Sequence, residues 1–252
     1  MAQSISHSQD VVRQEDCSMY AKKVNERSPL RVFERSIHGG LGRGNLGVVL
    51  SRPGMGKSSF LVGIALDDLM RGRRVFHVAL EQSVDHVREY YDEIFADLVR
   101  TTHLDDAASV RVGVERSRLV HTYLGHSFSM VKLRDALGTL REHLHFEPAA
   151  VVIDGFDFAG DHYDEIASMR DTARRAGFEL WMSARTFKKA PPPRPGELPW
   201  PLARYTDLVS VVVSLDPEGN RIRLRLLKDH DNPDISSLYL DLDPQTMLVV
   251  ER

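Results

Sequence analysis

At 252 residues the chain is long enough to bury a proper core in one large domain. Its 42 % hydrophobic and 27 % charged residues are those of an ordinary soluble protein. A formal net charge of −3 excludes a global field drawing it to nucleic acid or to an anionic membrane, so any such contact has to be local.

The N-terminus, MAQSISHSQDVVRQEDCSMY, has neither the basic start nor the apolar core of a secretory signal. No apolar run approaches the ~18–20 residues of a spanning helix. The lone Cys17 has no partner for an internal disulfide. The expectation is a cytoplasmic protein without membrane contact. Residues 1–28 are polar and aperiodic and read as a flexible arm or a short docking segment. A domain is expected over 29–252. Val32, Phe33 and Ile37 lead to a glycine cluster, Gly39-Gly40-Leu41-Gly42-Arg43-Gly44, that reads as a tight turn into the first strand.

That strand, Leu46–Leu50, runs into Ser51-Arg52-Pro53-Gly54-Met55-Gly56-Lys57-Ser58-Ser59, and a helical pattern continues to Met70. Strand, glycine-bearing loop and helix start are the context of a phosphate-binding P-loop. Gly54 and Gly56 are free to adopt positive φ, so consecutive N–H groups turn inward toward phosphate oxygens. The helix start adds its positive dipole end. Lys57 is placed to reach the β- and γ-phosphates of ATP, and the Ser58 hydroxyl to hold Mg²⁺. The strict pattern begins with Gly where this chain has Ser51, which is small enough to let the loop close.

Strand Val75–Leu80 ends at Glu81, and a helix is expected from about Val84 to Val99. The stretch 100–125 is less regular, with a loop or short helical turn over Thr101–Ala108 and a strand at Leu119–Leu124. A helix over Met130–His143 precedes the apolar strand Ala149–Asp154. Another helix, Tyr163–Ala176, leads to strand Phe178–Ser183. Residues 186–203 form a Pro-rich surface loop containing KKAPPPRPGELPWP. Short strands without helices follow at Leu208–Leu215, Arg221–Leu227, Leu238–Leu242 and Thr246–Val250, with a hairpin turn at Asp216–Asn220. The order predicts an α/β fold with a mostly parallel central sheet flanked by helices and a C-terminal antiparallel strand extension.

Asp154 closes an apolar strand downstream of the P-loop, where a Walker B carboxylate holds Mg²⁺. Gly155 follows it, so the carboxylate that activates water has to come from elsewhere. Glu81 is the first candidate, on a strand expected beside the P-loop strand and at the same sheet edge. Asp157 is its rival. Arg221, Arg223 and Arg225 alternate with apolar residues and share one strand face. With Lys188, Lys189, Arg194 and Trp200 they offer a basic stripe with aromatic support for nucleic acid, against the plainer reading of a solvated strand face and loop. His143 and His145 lie close together but form no metal-ligand pattern.

GRGNLGVVLSRPGMGKSSFLVGIA, FHVALEQS, AAVVIDGF, ELWMSAR, ARYTDLVSVVV and LLKDHDNPD occur in the order seen in the RecA-like motor domain of DnaB-type replicative helicases. The chain resembles that domain from roughly Gly39 to Val250, and KaiC-like and RadA-like ATPases share the same core. The resemblance implies a RecA-like P-loop NTPase fold, Mg²⁺-dependent ATP hydrolysis, and a homo-oligomer, hexamer or dimer. It selects Glu81 as the water-activating base. It also matches Lys228 and His230 to a basic pair that reaches the neighbouring subunit's nucleotide. Two departures stand out: Ala184 replaces the usual Gln, and His230 replaces an Arg, losing the guanidinium fork. Arg185 is a possible substitute. These departures keep open a slow or non-hydrolysing nucleotide switch, and the stripe of Arg221, Arg223 and Arg225 keeps open a DNA translocase.

Overall fold

The computed structural model describes residues 28–252 other than 192, 195 and 236. The expected arm therefore lies outside the described residues except for Ser28. Six parallel strands form the main sheet: β1 (Leu46–Ser51), β2 (Val75–Leu80), β3 (Arg118–Tyr123), β4 (Ala150–Asp154), β5 (Glu179–Arg185) and β6 (Val211–Glu218). Antiparallel strands β7 (Arg221–Asp229), β8 (Leu240–Leu242) and β9 (Val249–Glu251) extend it, in the order β3-β2-β4-β5-β1-β6-β7-β8-β9. The architecture is α/β, with a mostly parallel sheet and a C-terminal antiparallel extension, as the pattern predicts.

Alternation along each strand builds two cores. Val49, Val152 and Trp181 face a layer of four helices: α1 (Pro29–Ser36), α2 (Lys57–Met70), α3 (Val84–Thr102) and α4 (Ala107–Ser117). Val48, Leu50, Ile153 and Met182 face α5 (Met130–Leu144) and α6 (Tyr163–Ala176). Because both faces are covered, β1 and β4 are buried along their whole lengths.

Two helices were not expected. α1 is signalled by Ser28, whose hydroxyl accepts from Leu30 N–H, and by Pro29 at the first helical position. α4 buries only Val110 and Val114 and carries Gly113, too thin a periodicity to register. The hairpin turn expected over Asp216–Asn220 is shorter, because Asp216, Pro217 and Glu218 still pair with β7. The β6–β7 hairpin closes on Gly219-Asn220, and Pro217 lies beyond the last residue of β6 paired to β1, where no ladder donor is needed.

α2 is held by packing rather than by propensity. It has no side-chain N-cap and carries Gly63, which costs about 1 kcal/mol against Ala. Burial of Phe60, Leu61, Leu66 and Leu69 contributes about 1.5–3 kcal/mol each and outweighs that. Beyond its C-terminus Arg73 pairs with the buried Asp68 at 3.1 Å and with the partly buried Glu179 at 2.9 Å.

Burial pushes the Asp68 carboxyl up to about 7, against the opposing pull of Arg73. A carboxyl that binds its proton more tightly folded than unfolded loses stability as pH rises between its two pKa values, here from 3.8 to about 7. Asn at this position does not titrate. The stability of Asp68→Asn relative to the parent is therefore expected to rise by on the order of 2 kcal/mol between pH 5 and pH 8 in urea unfolding. A difference independent of pH would contradict the assignment.

Candidate phosphate-binding site at the C-terminal sheet edge

The loop between β1 and α2 has the conformation that its glycines permit. Gly54 and Gly56 sit at φ +77° and +83°. A Cβ at Gly56 would stand 2.6 Å from Leu242 Cδ2, so glycine is needed there for space as well as for φ. Gly56 caps α2 in the left-handed conformation without a side-chain hydrogen bond. The first-turn N–H groups of Lys57, Ser58 and Ser59 have no intrahelical partner and face the loop's mouth with the positive dipole end.

Ser51 fits as expected and also takes part. It is buried, and its Oγ accepts from Lys57 Nζ at 3.3 Å. Lys57 Nζ also donates to the carbonyls of Arg52 (3.1 Å) and Ser51 (3.4 Å). Burial lowers the Lys57 pKa, the charge of Asp154 raises it and that of Arg185 lowers it further. Ammonium, carboxylate and guanidinium thus share one electrostatic neighbourhood.

Asp154 is buried at the end of β4, and β5 lies between β4 and β1. The intervening strand supplies Ser183, whose hydroxyl donates to Asp154 Oδ1 at 2.6 Å and accepts from Gly155 N–H at 2.8 Å. In the sequence Ser183 stands out only as the end of the strand Phe178–Ser183. Its role depends on which strand inserts beside β4. Gly155 has φ +95°, and a Cβ there would stand 2.9 Å from the Leu80 carbonyl. That contact explains why no acidic side chain follows Asp154.

Glu81 lies on the expected edge, but β2 is not beside β1. The neighbours of β1 are β5 and β6, and β2 is three strands away, about 14 Å at the usual spacing. The expectation of adjacency fails because β4 and β5, both later in sequence, insert between them. Glu81 has φ +64°, an uncommon conformation for a non-glycine residue. Its carboxylate accepts from the N–H groups of His126 (2.6 Å) and Gly125 (3.1 Å). The hydrogen bond from His126 is the main cause of its lowered pKa. Asp157 is engaged too, accepting from Ala159 N–H at 2.9 Å.

Lys228 is paired through Val212 to the level of Val48, midway along β1, and His230 stands at the opposite sheet edge. Leu215 is level with Ser51, whereas His230 N–H donates to the Ser210 carbonyl, five residues earlier on the β6 side, about 16 Å away along the strand. Both are therefore away from the Ser51–Ser59 loop of their own chain. His230 uses both ring nitrogens internally, Nδ1 on Asp229 Oδ1 (2.8 Å) and Nε2 on the Leu41 carbonyl (3.0 Å). Burial pushes the Asp229 carboxyl up, but hydrogen bonds from His230, His38 and Asn232 outweigh it and hold its pKa down. Lys228 donates to the Thr206 carbonyl, and burial lowers its pKa.

The arginine stripe shares one face of β7 as predicted, and its charge is met within the chain. Arg221 pairs with Asp241, Arg223 with Glu218, and Arg225 with Asp216. Trp200 stacks against Phe187 at 5.4 Å between ring centroids. A cavity of about 860 Å³ lies between α1, α2, α3 and the β8–β9 hairpin, and none of the predicted site residues lines it. Among the described residues no group of three or more His, Cys, Asp or Glu gathers as a metal site, and no helix is long and apolar enough to cross a membrane. No protein-family model and no curated protein sequence matches the chain.

Proposed function

We propose that the chain binds ATP with Mg²⁺ on the Ser51–Ser59 loop and hydrolyses it, on a RecA/DnaB-like plan and as a homo-oligomer. The observation that carries this reading is the loop itself: Gly54 and Gly56 at positive φ before an uncapped helix N-terminus that bears Lys57. Lys57 swings from the loop carbonyls to the β- and γ-phosphates. Ser58 and Asp154 fit a Mg²⁺ ion, because Asp154 is a buried carboxylate already oriented by Ser183. One carboxylate, one hydroxyl and phosphate oxygens are the donor set that Mg²⁺ takes beside a nucleotide. When bound, the ion neutralises charge developing on the β- and γ-oxygens. Glu81, released from Gly125 and His126, orients and deprotonates the attacking water.

Lys228 and His230 would act only across a subunit boundary, since on β7 both lie short of the level of Ser51 and away from their own chain's loop. A second reading, a slow nucleotide switch, is favoured by the internal engagement of Glu81 and His230. The paired arginines of β7 lend the translocase reading no support.

Calorimetric titration with ATP tests the reading. In Mg²⁺, Asp154→Asn is expected to weaken binding about 10- to 100-fold, the usual scale for disturbing a metal site. In EDTA the variant and the parent should agree. No ATP binding by the parental chain in Mg²⁺ would overturn the proposal.

A further inference from the structure

We infer that Arg185 discriminates nucleoside triphosphate from diphosphate, its guanidinium contacting the terminal phosphate held on the P-loop of its own chain. The inference rests on the nucleotide-binding reading above and names the group that reads the last phosphate.

Backbone register brings Arg185 to the loop. It pairs with Ser51, the residue at which β1 becomes the P-loop, and the next residue, Thr186, donates its N–H to the Ser51 carbonyl at 3.0 Å. Strand alternation fixes its side. Trp181 packs in the core on the α2 face, and Ser183, two residues on, reaches Asp154 on that same face. Arg185 is two residues further still, at the open edge. β5 is the strand between β1, which carries the loop, and β4, which carries Asp154. A triphosphate held by Lys57, with Asp154 holding its Mg²⁺, would lie across the end of β5, the strand between them. Arg185 is the residue at that end.

The state of the side chain agrees. Arg185 is exposed, and its side chain makes no hydrogen bond or ion pair among the described residues. Arg71, Arg73, Arg221, Arg223 and Arg225 all have carboxylate partners. Its charge is felt at Lys57, the residue assigned to the phosphates. A planar fork of donors suits a phosphate terminus, where bidentate contact is strongest. The chain thereby has a phosphate-reading cation in cis, whereas the ring of His230 is committed to Asp229 and Leu41.

The test compares affinities for adenylyl imidodiphosphate and ADP, each with Mg²⁺, in the parent, Arg185→Gln, Arg185→Lys and Arg116→Gln. Arg116 lies in the last turn of α4 and serves as a charge-matched control. Arg185→Gln is expected to lose about 10-fold or more in affinity for the triphosphate analogue while ADP changes less than about 2-fold. Arg185→Lys should fall between Gln and the parent, and Arg116→Gln should match the parent. Equal weakening of both nucleotides, or no change in either, would overturn the inference and leave the nucleotide site standing. A parental chain that binds neither nucleotide would remove the site and the inference together.

Discussion

Lys57→Ala is expected to lower affinity for ATP·Mg²⁺ about 100-fold or more, with little change in stability. Charge-assisted hydrogen bonds contribute about 1.5–3 kcal/mol each, and a lysine spanning two phosphates loses about two of them on truncation. The fold should tolerate the loss. Lys57 is half-buried, its present partners are carbonyls of the loop, and burial already lowers its pKa. Removing it relieves a desolvated charge rather than opening a cavity in a core. Calorimetry on folded variant protein, with thermal unfolding as the control, decides the matter. Unchanged affinity would mean that the loop binds no phosphate.

Glu81→Gln is expected to reduce steady-state ATP hydrolysis by about 10²–10³-fold while ATP affinity stays within about 3-fold, the pattern of a lost general base. The carboxylate accepts two backbone N–H bonds, and these hold its pKa below the usual value. It is ionised throughout the neutral range and able to take a proton. Glutamine keeps the size and one acceptor oxygen but places an NH₂ group against a backbone donor, so the loop at Gly125 and His126 should loosen as well. Parental turnover undiminished in the variant would move the base elsewhere. Tight ATP binding with negligible turnover in both proteins would instead favour the switch, in which the contact with Gly125 and His126 holds the base away from the phosphates.

The internal engagement of His230 bears on assembly. Both of its ring nitrogens are occupied at the edge opposite the P-loop, so a role in trans requires Asp229 and Leu41 to release it. Arg185 needs no such rearrangement, because register alone brings it level with Ser51.

What the sequence determined was local in origin. Positive φ at Gly54 and Gly56, the start of α2 at Lys57 and the buried runs of β1 and β4 follow from short-range sterics and from apolar periodicity. These could be read residue by residue. α1 carries a legible signal in Ser28 and Pro29, but its eight residues are too short for a sustained period. Strand order was not legible, because it depends on how the two faces of the sheet are covered by helices distant in sequence. That order alone puts β5 between Lys57 and Asp154. It turns Ser183 into the hydroxyl that orients Asp154 and sets Arg185 level with Ser51. It also keeps β2 three strands from the P-loop, with Glu81 bonded to a loop 44 residues away. Side-chain chemistry was visible in the chain; which groups meet was decided by the long-range pairing that closes the sheet.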